Sequence, residues 1–228
     1  MYLVAVLFAA FVCFSCSDDD KEDEELTGAW NYKSAEDVYL ELTCVDDKIT
    51  ITPELLQLIP EDLLNQIPEE IKKVILAGGI PVTMVKPVLA SYAGQQMKKY
   101  FRGINFISDT ELEILITTAD SKEQKISTTY KVQGSILQVS TQSNDFKEIT
   151  NNMIPEAMAS IDLNYFFKDG KLTLYLNTTY VKTIISMLPT ILVATGTISA
   201  DQLITVQTEV QKISNQITKL EIGATLKR

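Results

Sequence analysis

Residues 159–176 read ASIDLNYFFKDGKLTLYL, and this stretch decides the fold class. Apolar and polar residues alternate on both sides of Lys168-Asp169-Gly170-Lys171. Asp-Gly between two alternating runs marks a two-residue hairpin turn. Both turn positions need positive φ, which Gly adopts freely and Asp tolerates. Ser160–Phe167 and Leu172–Leu176 are therefore expected to pair antiparallel. Outward from there the pattern repeats. Lys125–Val132 and Ser135–Ser140 flank Gln133-Gly134, and GINFISDTELEILITT (103–118) reads as strand, Ser-Asp turn, strand. Near the start, Val38–Val45 alternates, Asp46-Asp47-Lys48 makes a turn, and Ile49–Ile51 is expected to pair back. LEIGATLKR (220–228) alternates again as a closing strand.

Two blocks interrupt this pattern. In TPELLQLIPEDLLNQIPEEIKKVIL (52–76), Pro-Glu recurs at Pro53, Pro60 and Pro68. Proline suits the first helical position and ends the helix before it, so three short helices are expected. A longer helix follows from near Pro87, with Val88, Leu89, Tyr92, Met97, Tyr100 and Phe101 as its apolar face. Met153–Ala159 reads as one helical turn around Pro155. In the last quarter, Tyr180–Leu188 is helical up to Pro189, and Ser199-Ala200-Asp201-Gln202 matches a capping box. The helix it opens carries Leu203, Val206, Val210, Ile213, Ile217 and Leu220 on one seam. The expected fold is mainly β with helical insertions (α+β). It is an antiparallel meander of about nine or ten strands that closes into a barrel or curls into a sandwich, with helical blocks near 52–101 and 180–218.

The chain has 228 residues, 46% of them hydrophobic, enough for a well-buried core. Asp18–Glu25 holds seven acids against one lysine, a net −6 of the chain's −10. The acidity is thus largely local, and no basic stripe exists, so nucleic acid is not an expected partner. The chain has no histidine. Ser-His-Asp and Cys-His mechanisms and histidine metal triads are excluded with it. No cofactor or metal site is expected.

MYLVAVLFAAFVCFSC (1–16) is an apolar run of signal-peptide length, too short to span a bilayer. The run carries no Lys or Arg, which points to a basic beginning upstream of Met1. Small Ser15 before Cys16 marks Cys16 as the acylated residue of a lipoprotein. The expected organisation is a signal peptide over 1–16, an acidic tether over 17–25 and a single domain over 26–228. Dense like charges repel and keep such a tether extended.

Two resemblances add to this reading. Cys16-Ser17-Asp18-Asp19-Asp20 resembles the acidic export signal of surface lipoproteins of the Bacteroidetes group. It implies an outer-membrane protein displayed on the cell surface, joined to the membrane through lipid on Cys16. LTGAWNY (26–32) resembles the Gly-x-Trp opening of lipocalins, in which the tryptophan plugs the closed end of the barrel. The chain is similar to uncharacterised lipocalin-like lipoproteins of the same group over Leu26–Ile51 and Gly103–Leu176. Carried over, Gly28 and Trp30 form the plug, and a small ligand is bound without catalysis. The helical blocks depart from a plain lipocalin, which carries one helix after its strands.

The bland readings remain beside these. Trp30 is also an ordinary core residue, Cys44 a buried inert thiol, and Asp46-Asp47 a turn. The helical blocks pack across the barrel as core, form a lid, or dock on a partner. A lid would line an apolar pocket with Leu56, Leu64, Ile67, Ile71, Tyr92, Met97 and Tyr100. The expected function is noncatalytic binding of a small or apolar ligand in a barrel pocket by a cell-envelope lipoprotein, with a small molecule or glycan as the ligand. The alternative is an accessory subunit that docks on another envelope protein through apolar helical faces.

Overall fold

The computed structural model describes residues 26–52, 73, 78–118, 120–149, 159–194 and 196–228. The early strands are β1 (Gly28–Asn31), β2 (Val38–Cys44), β3 (Lys48–Ile49) and β4 (Ile80–Pro81). Then come β5 (Phe101–Phe106), β6 (Glu111–Thr117), β7 (Glu123–Gln133), β8 (Ile136–Ser140), β9 (Ser160–Lys168), β10 (Lys171–Leu176) and β11 (Ile217–Lys227). The described helices are α1 (Val82–Tyr100), α2 (Asn144–Ile149), α3 (Thr178–Ala194) and α4 (Leu203–Gln216). The chain divides into two compact units. One holds residues through Leu40, Leu89–Asn177 and Glu221–Arg228; the other holds Glu41–Val88 and Thr178–Leu220.

Among the described residues nine strands form one antiparallel sheet in the order β1-β5-β6-β7-β8-β9-β10-β11-β2, and β1 pairs with β11 as well. Eight of them, β1 and β5 through β11, close into a barrel. Closure removes the exposed edges that an open sheet of this length would present. The hairpins expected from sequence are present. Lys168 pairs with Lys171 across Asp169 (φ 52°) and Gly170 (φ 68°), the double left-handed turn that Asp-Gly encodes. The second hairpin is present but its turn lies one residue later than the expected Gln133-Gly134: Gln133 still belongs to β7 and pairs with Ile136 across Gly134 and Ser135.

Directly opposed residues share a face of the sheet. Trp30, Ile104, Ile114 and Ile126 follow one another across four strands in register. Phe167, Leu172 and Leu226 do the same across three. Both rows lie on the inward face. Leu137, Leu172, Leu174, Leu176, Ala224 and Leu226 keep no accessible surface at all. A side chain beside a water-sized cavity would keep some, so the interior is filled along β8, β10 and β11, as in the smallest eight-stranded barrels. Each such leucine contributes about 2 kcal/mol of burial.

β1 joins the wall at a tight spot. The β5–β6 register shifts between Phe101 and Gly103, and Gly103 takes φ 153°. A Cβ on Gly103 would sit 2.1 Å from the Trp30 carbonyl oxygen, so only glycine lets β1 approach β5 there. Outside the barrel, Tyr39 stacks on Tyr175 with ring centroids 4.3 Å apart, and its hydroxyl donates to Glu221 Oε2 at 3.1 Å.

In the second unit, α3 packs against α4. Val181, Ile184 and Pro189 are buried on α3, and Val206, Glu209 and Ser214 on α4. The capping box is present: the Ser199 N–H donates to Gln202 Oε1 at 2.9 Å. It opens a short 3-10 turn, Ala200–Gln202, that leads into α4. Gln216 closes that helix and pairs with the backbone of Thr50 in both directions, accepting at 2.6 Å and donating at 3.1 Å.

Several expectations are corrected. Ile49 does not pair back on β2; β3 pairs with β4, Lys48 opposite Pro81 and Ile49 opposite Ile80. A 3-10 turn, Val45–Asp47, with left-handed Asp46 and Asp47 turns the chain off the sheet first. The long helix begins at Val82, and Pro87 lies inside it; Phe101 already belongs to β5. Pro189 likewise lies inside α3, where its burial offsets the lost hydrogen bond. The α4 seam ends at Gln216, so Ile217 and Leu220 are strand residues. The helices expected at Pro53, Pro60 and Pro68 and around Pro155 lie outside the described residues. So does the leader.

Candidate functional site

The site is built where β7 outruns β8. β7 pairs with β6 from Glu123 to Thr129, but with β8 only over Tyr130–Gln133. Beyond Ser140 the chain turns over the uncovered part of β7 through Gln142 and Ser143 into α2. Three contacts hold it there. The Ser127 N–H donates to Asp145 Oδ2 at 3.0 Å, the Thr128 hydroxyl donates to the Ser140 carbonyl at 2.7 Å, and Phe146 is buried beneath α2. The Ser143 hydroxyl caps the short helix by accepting from the Phe146 N–H at 3.2 Å. On the other side, the Tyr130 hydroxyl donates to the Ser108 carbonyl at 2.9 Å and fixes the β5–β6 turn that carries Ile107.

The result is a cleft of about 550 Å³ on the outside of the wall. Ile107, Glu111, Glu113, Ser127, Thr129 and Gln142 are among its lining residues. Register places Glu111 opposite Thr129 and Glu113 opposite Ser127, so two carboxylates face two hydroxyls across adjacent strands. Glu113 accepts from Lys125 Nζ at 2.9 Å and from Asn105 Nδ2 at 3.4 Å. These two donors, lysine first, hold its carboxyl below the usual range, so it is ionised at neutral pH. Such a surface can accept hydrogen bonds on its carboxylates and exchange them with hydroxyls. It presents no histidine or thiol, and its groups suit recognition of a hydroxyl-bearing molecule.

The residues singled out from sequence fall elsewhere. Cys16, Ser17, Asp18, Asp19 and Asp20 lie outside the described residues, as do Leu56, Leu64, Ile67 and Ile71. Gly28 and Trp30 are on β1. Trp30 is 1% exposed, packs 5.6 Å from the Phe167 ring, and has the Arg228 guanidinium 4.6 Å from its centroid. Tyr92, Met97 and Tyr100 share α1, but Met97 is not on the exposed face that carries Tyr92. Met97 is 1% exposed and belongs to the core, whereas Tyr92 is 51% exposed. The Lys99 ammonium lies 4.8 Å from the centroid of the Tyr100 ring. Cys44 is buried, and its thiol is pushed up by that burial and by Asp47. The cleft residues escaped the sequence reading. Their signal was the alternation TELEI, which puts Glu111 and Glu113 on one strand face.

The described part of α1 has a second unusual surface. Met84, Val88, Leu89 and Tyr92 form one exposed apolar stripe at helical spacing, with Val88 61% exposed. Comparison with known proteins finds no matching family model, curated protein or solved structure.

Proposed function

We propose that this chain is a noncatalytic, lipocalin-like lipoprotein of the outer membrane that binds a small hydroxyl-bearing ligand. In this reading Cys16 carries the acyl chains, Ser17-Asp18-Asp19-Asp20 directs the protein to the cell surface, and residues 17–25 tether the barrel. Gly28 and Trp30 serve as structural plug residues. The observation that carries the placement of the ligand is the outer cleft, where Glu111 and Glu113 oppose Thr129 and Ser127 in register. Leu137 on β8, Leu172, Leu174 and Leu176 on β10, and Ala224 and Leu226 on β11 are packed without accessible surface, so the barrel interior beside them is the poorer place for a ligand. A sugar-like molecule donates hydroxyls to the two carboxylates and lies over Ile107.

Amide chemical shifts test the assignment. With a panel of neutral mono- and disaccharides at millimolar concentration, shifts are expected in 107–113, 127–129 and 140–143. Glu111→Ala with Thr129→Ala should abolish them. Shifts confined to inward-facing residues, or none at all, would overturn the assignment.

One observation favours a second reading, docking on another envelope protein. It is the α1 stripe of Met84, Val88, Leu89 and Tyr92. Solvent-facing helix positions are ordinarily polar, and this helix carries only Lys86, Lys98 and Lys99 as charges.

A further inference from the structure

Closure of the barrel rests on one joint. Along the rest of the wall, neighbouring strands pair over four to seven residues, as β6 and β7 do from Glu111–Thr129 to Thr117–Glu123. Between β1 and β11 a single pair is in register, Asn31 opposite Lys227. Side chains supply what the backbone does not. Lys227 Nζ reaches Asp37 Oδ1 at 2.5 Å, Lys33 Nζ donates to the Arg228 carbonyl at 2.8 Å, and the Arg228 guanidinium covers the face of Trp30. On its other edge, β1 is held to β5 by four pairs, Gly28–Phe106 through Asn31–Gly103. β1 is thus hinged on β5 and latched on β11.

The door also carries unsatisfied polar groups inward. Trp30 Nε1 and the Tyr32 hydroxyl are both buried, and neither has a hydrogen-bond partner among the described residues. The phenol of Tyr32 is pushed well up by burial and by the charge of Asp37. Buried polar groups are costly unless paired, so a movement that brings both to water recovers part of the cost of opening.

We propose that β1 swings out of the wall at the β1–β11 seam as a unit, carrying Trp30 with it, while β5 through β11 stay paired. The latch of Asp37, Lys227, Lys33 and Arg228 sets how often it does so. This is a local opening well below the global unfolding free energy.

Trp30 is the only tryptophan, so its fluorescence reports the door alone. Acrylamide quenching of the full chain under native conditions is the test. Asp37→Asn should raise the quenching constant about three- to fivefold, the range expected when a partly exposed ion pair is lost from a local equilibrium. Far-UV circular dichroism should stay unchanged. A disulfide between Asn31→Cys and Lys227→Cys should bring quenching below the wild-type level, and reductant should restore it. If Asp37→Asn loses its circular dichroism, Lys33→Ala removes only the contact to the Arg228 carbonyl and carries the same test. Quenching that neither latch variant raises would overturn the proposal. So would an oxidised staple that leaves quenching at the wild-type level.

Discussion

Gly94→Ala sets two physical effects against each other in sign. Gly94 lies in the middle of α1, and in an exposed helix the substitution would stabilise by about 1 kcal/mol through propensity alone. The fold places Gly94 against the turn that follows β1. A Cβ there would stand 2.0 Å from the carbonyl oxygen of Ala35 and 2.9 Å from its carbonyl carbon. The atoms it meets are backbone, so no side-chain rotation relieves the clash. Helix and turn must separate by more than about 1 Å to restore van der Waals contact. That separation loosens Ala93 and Met97, which are buried on the same helix face. Overpacking of this kind costs about 1–3 kcal/mol, and the loosened side chains add to it. The net expectation is a loss of about 1–2 kcal/mol, or a Tm lower by about 2–8 °C for a chain of this size. Thermal melts followed by circular dichroism provide the comparison. Ser91→Ala, on the exposed side of the same helix, serves as the control and should stay within about 0.5 kcal/mol of wild type. A Gly94→Ala protein that melts higher than wild type would refute the close approach of α1 to Ala35.

Glu209→Gln should lower stability at pH 7 by about 1–2 kcal/mol, since the nearly inaccessible carboxylate accepts from Lys212 Nζ at 2.6 Å and from the Thr52 hydroxyl. Those bonds, the lysine first, hold its folded pKa below the ordinary glutamate value. Its contribution is therefore complete above the unfolded pKa of about 4.3 and disappears as pH falls through the depressed folded value. The gap between wild-type and variant denaturant midpoints should narrow below pH 4, and a gap independent of pH would count against the ion pair. Val88→Lys combined with Tyr92→Lys should change stability by less than about 0.5 kcal/mol per site, because both side chains face solvent. If α1 docks on an envelope protein, the same double variant should lose the crosslinked adduct that wild type forms in intact cells.

The hairpins were legible because turn chemistry is local. Asp169-Gly170 specifies its own backbone angles and Gly134 marks the second turn, although that turn falls on Gly134-Ser135, one residue past the Gln133-Gly134 read from sequence, and the alternation beside both fixes which face turns inward. The orientation of α1 was not legible for the opposite reason. Its buried face contains Ala93 and Gly94, which hydrophobic periodicity scores weakly, while Val88, Leu89 and Tyr92 score highly and face water. Close backbone approach, not side-chain volume, decides the packing of that face, and it depends on Ala35, some sixty residues away in sequence. Pro87 and Pro189 read as helix stops because local sterics disfavour them, but Pro189 is buried within α3, and Pro87, although exposed, is carried by the helical turns on either side of it. The outer cleft depends on β8 ending before β7. Glu111 and Glu113 can be read as one strand face, yet their meeting with Ser127 and Thr129 is a fact of register.

The filled interior bears on where recognition can occur. A closed sheet has an inward face that must exclude water and an outward face that need not. Here Leu137, Val139, Leu172, Leu174, Leu176, Ala224 and Leu226 on β8, β10 and β11 are packed to near-zero exposure, so a ligand entering there must displace side chains. Emptying even one leucine position costs about 2–5 kcal/mol before any ligand contact is made. A ligand in the outer cleft displaces only water. Its partners there, Glu113 held ionised by Lys125 and the hydroxyls of Ser127 and Thr129, are already placed by strand pairing and need little reorganisation. The cleft and the seam lie on different strands. Movement of β1 exposes Trp30 and Tyr32, whereas the walls of the cleft are carried by β6, β7 and the 140–149 segment. Ligand affinity should therefore be the same in the oxidised Asn31→Cys/Lys227→Cys chain as in wild type. A staple that abolished binding would place the ligand behind the door instead of on the outer wall.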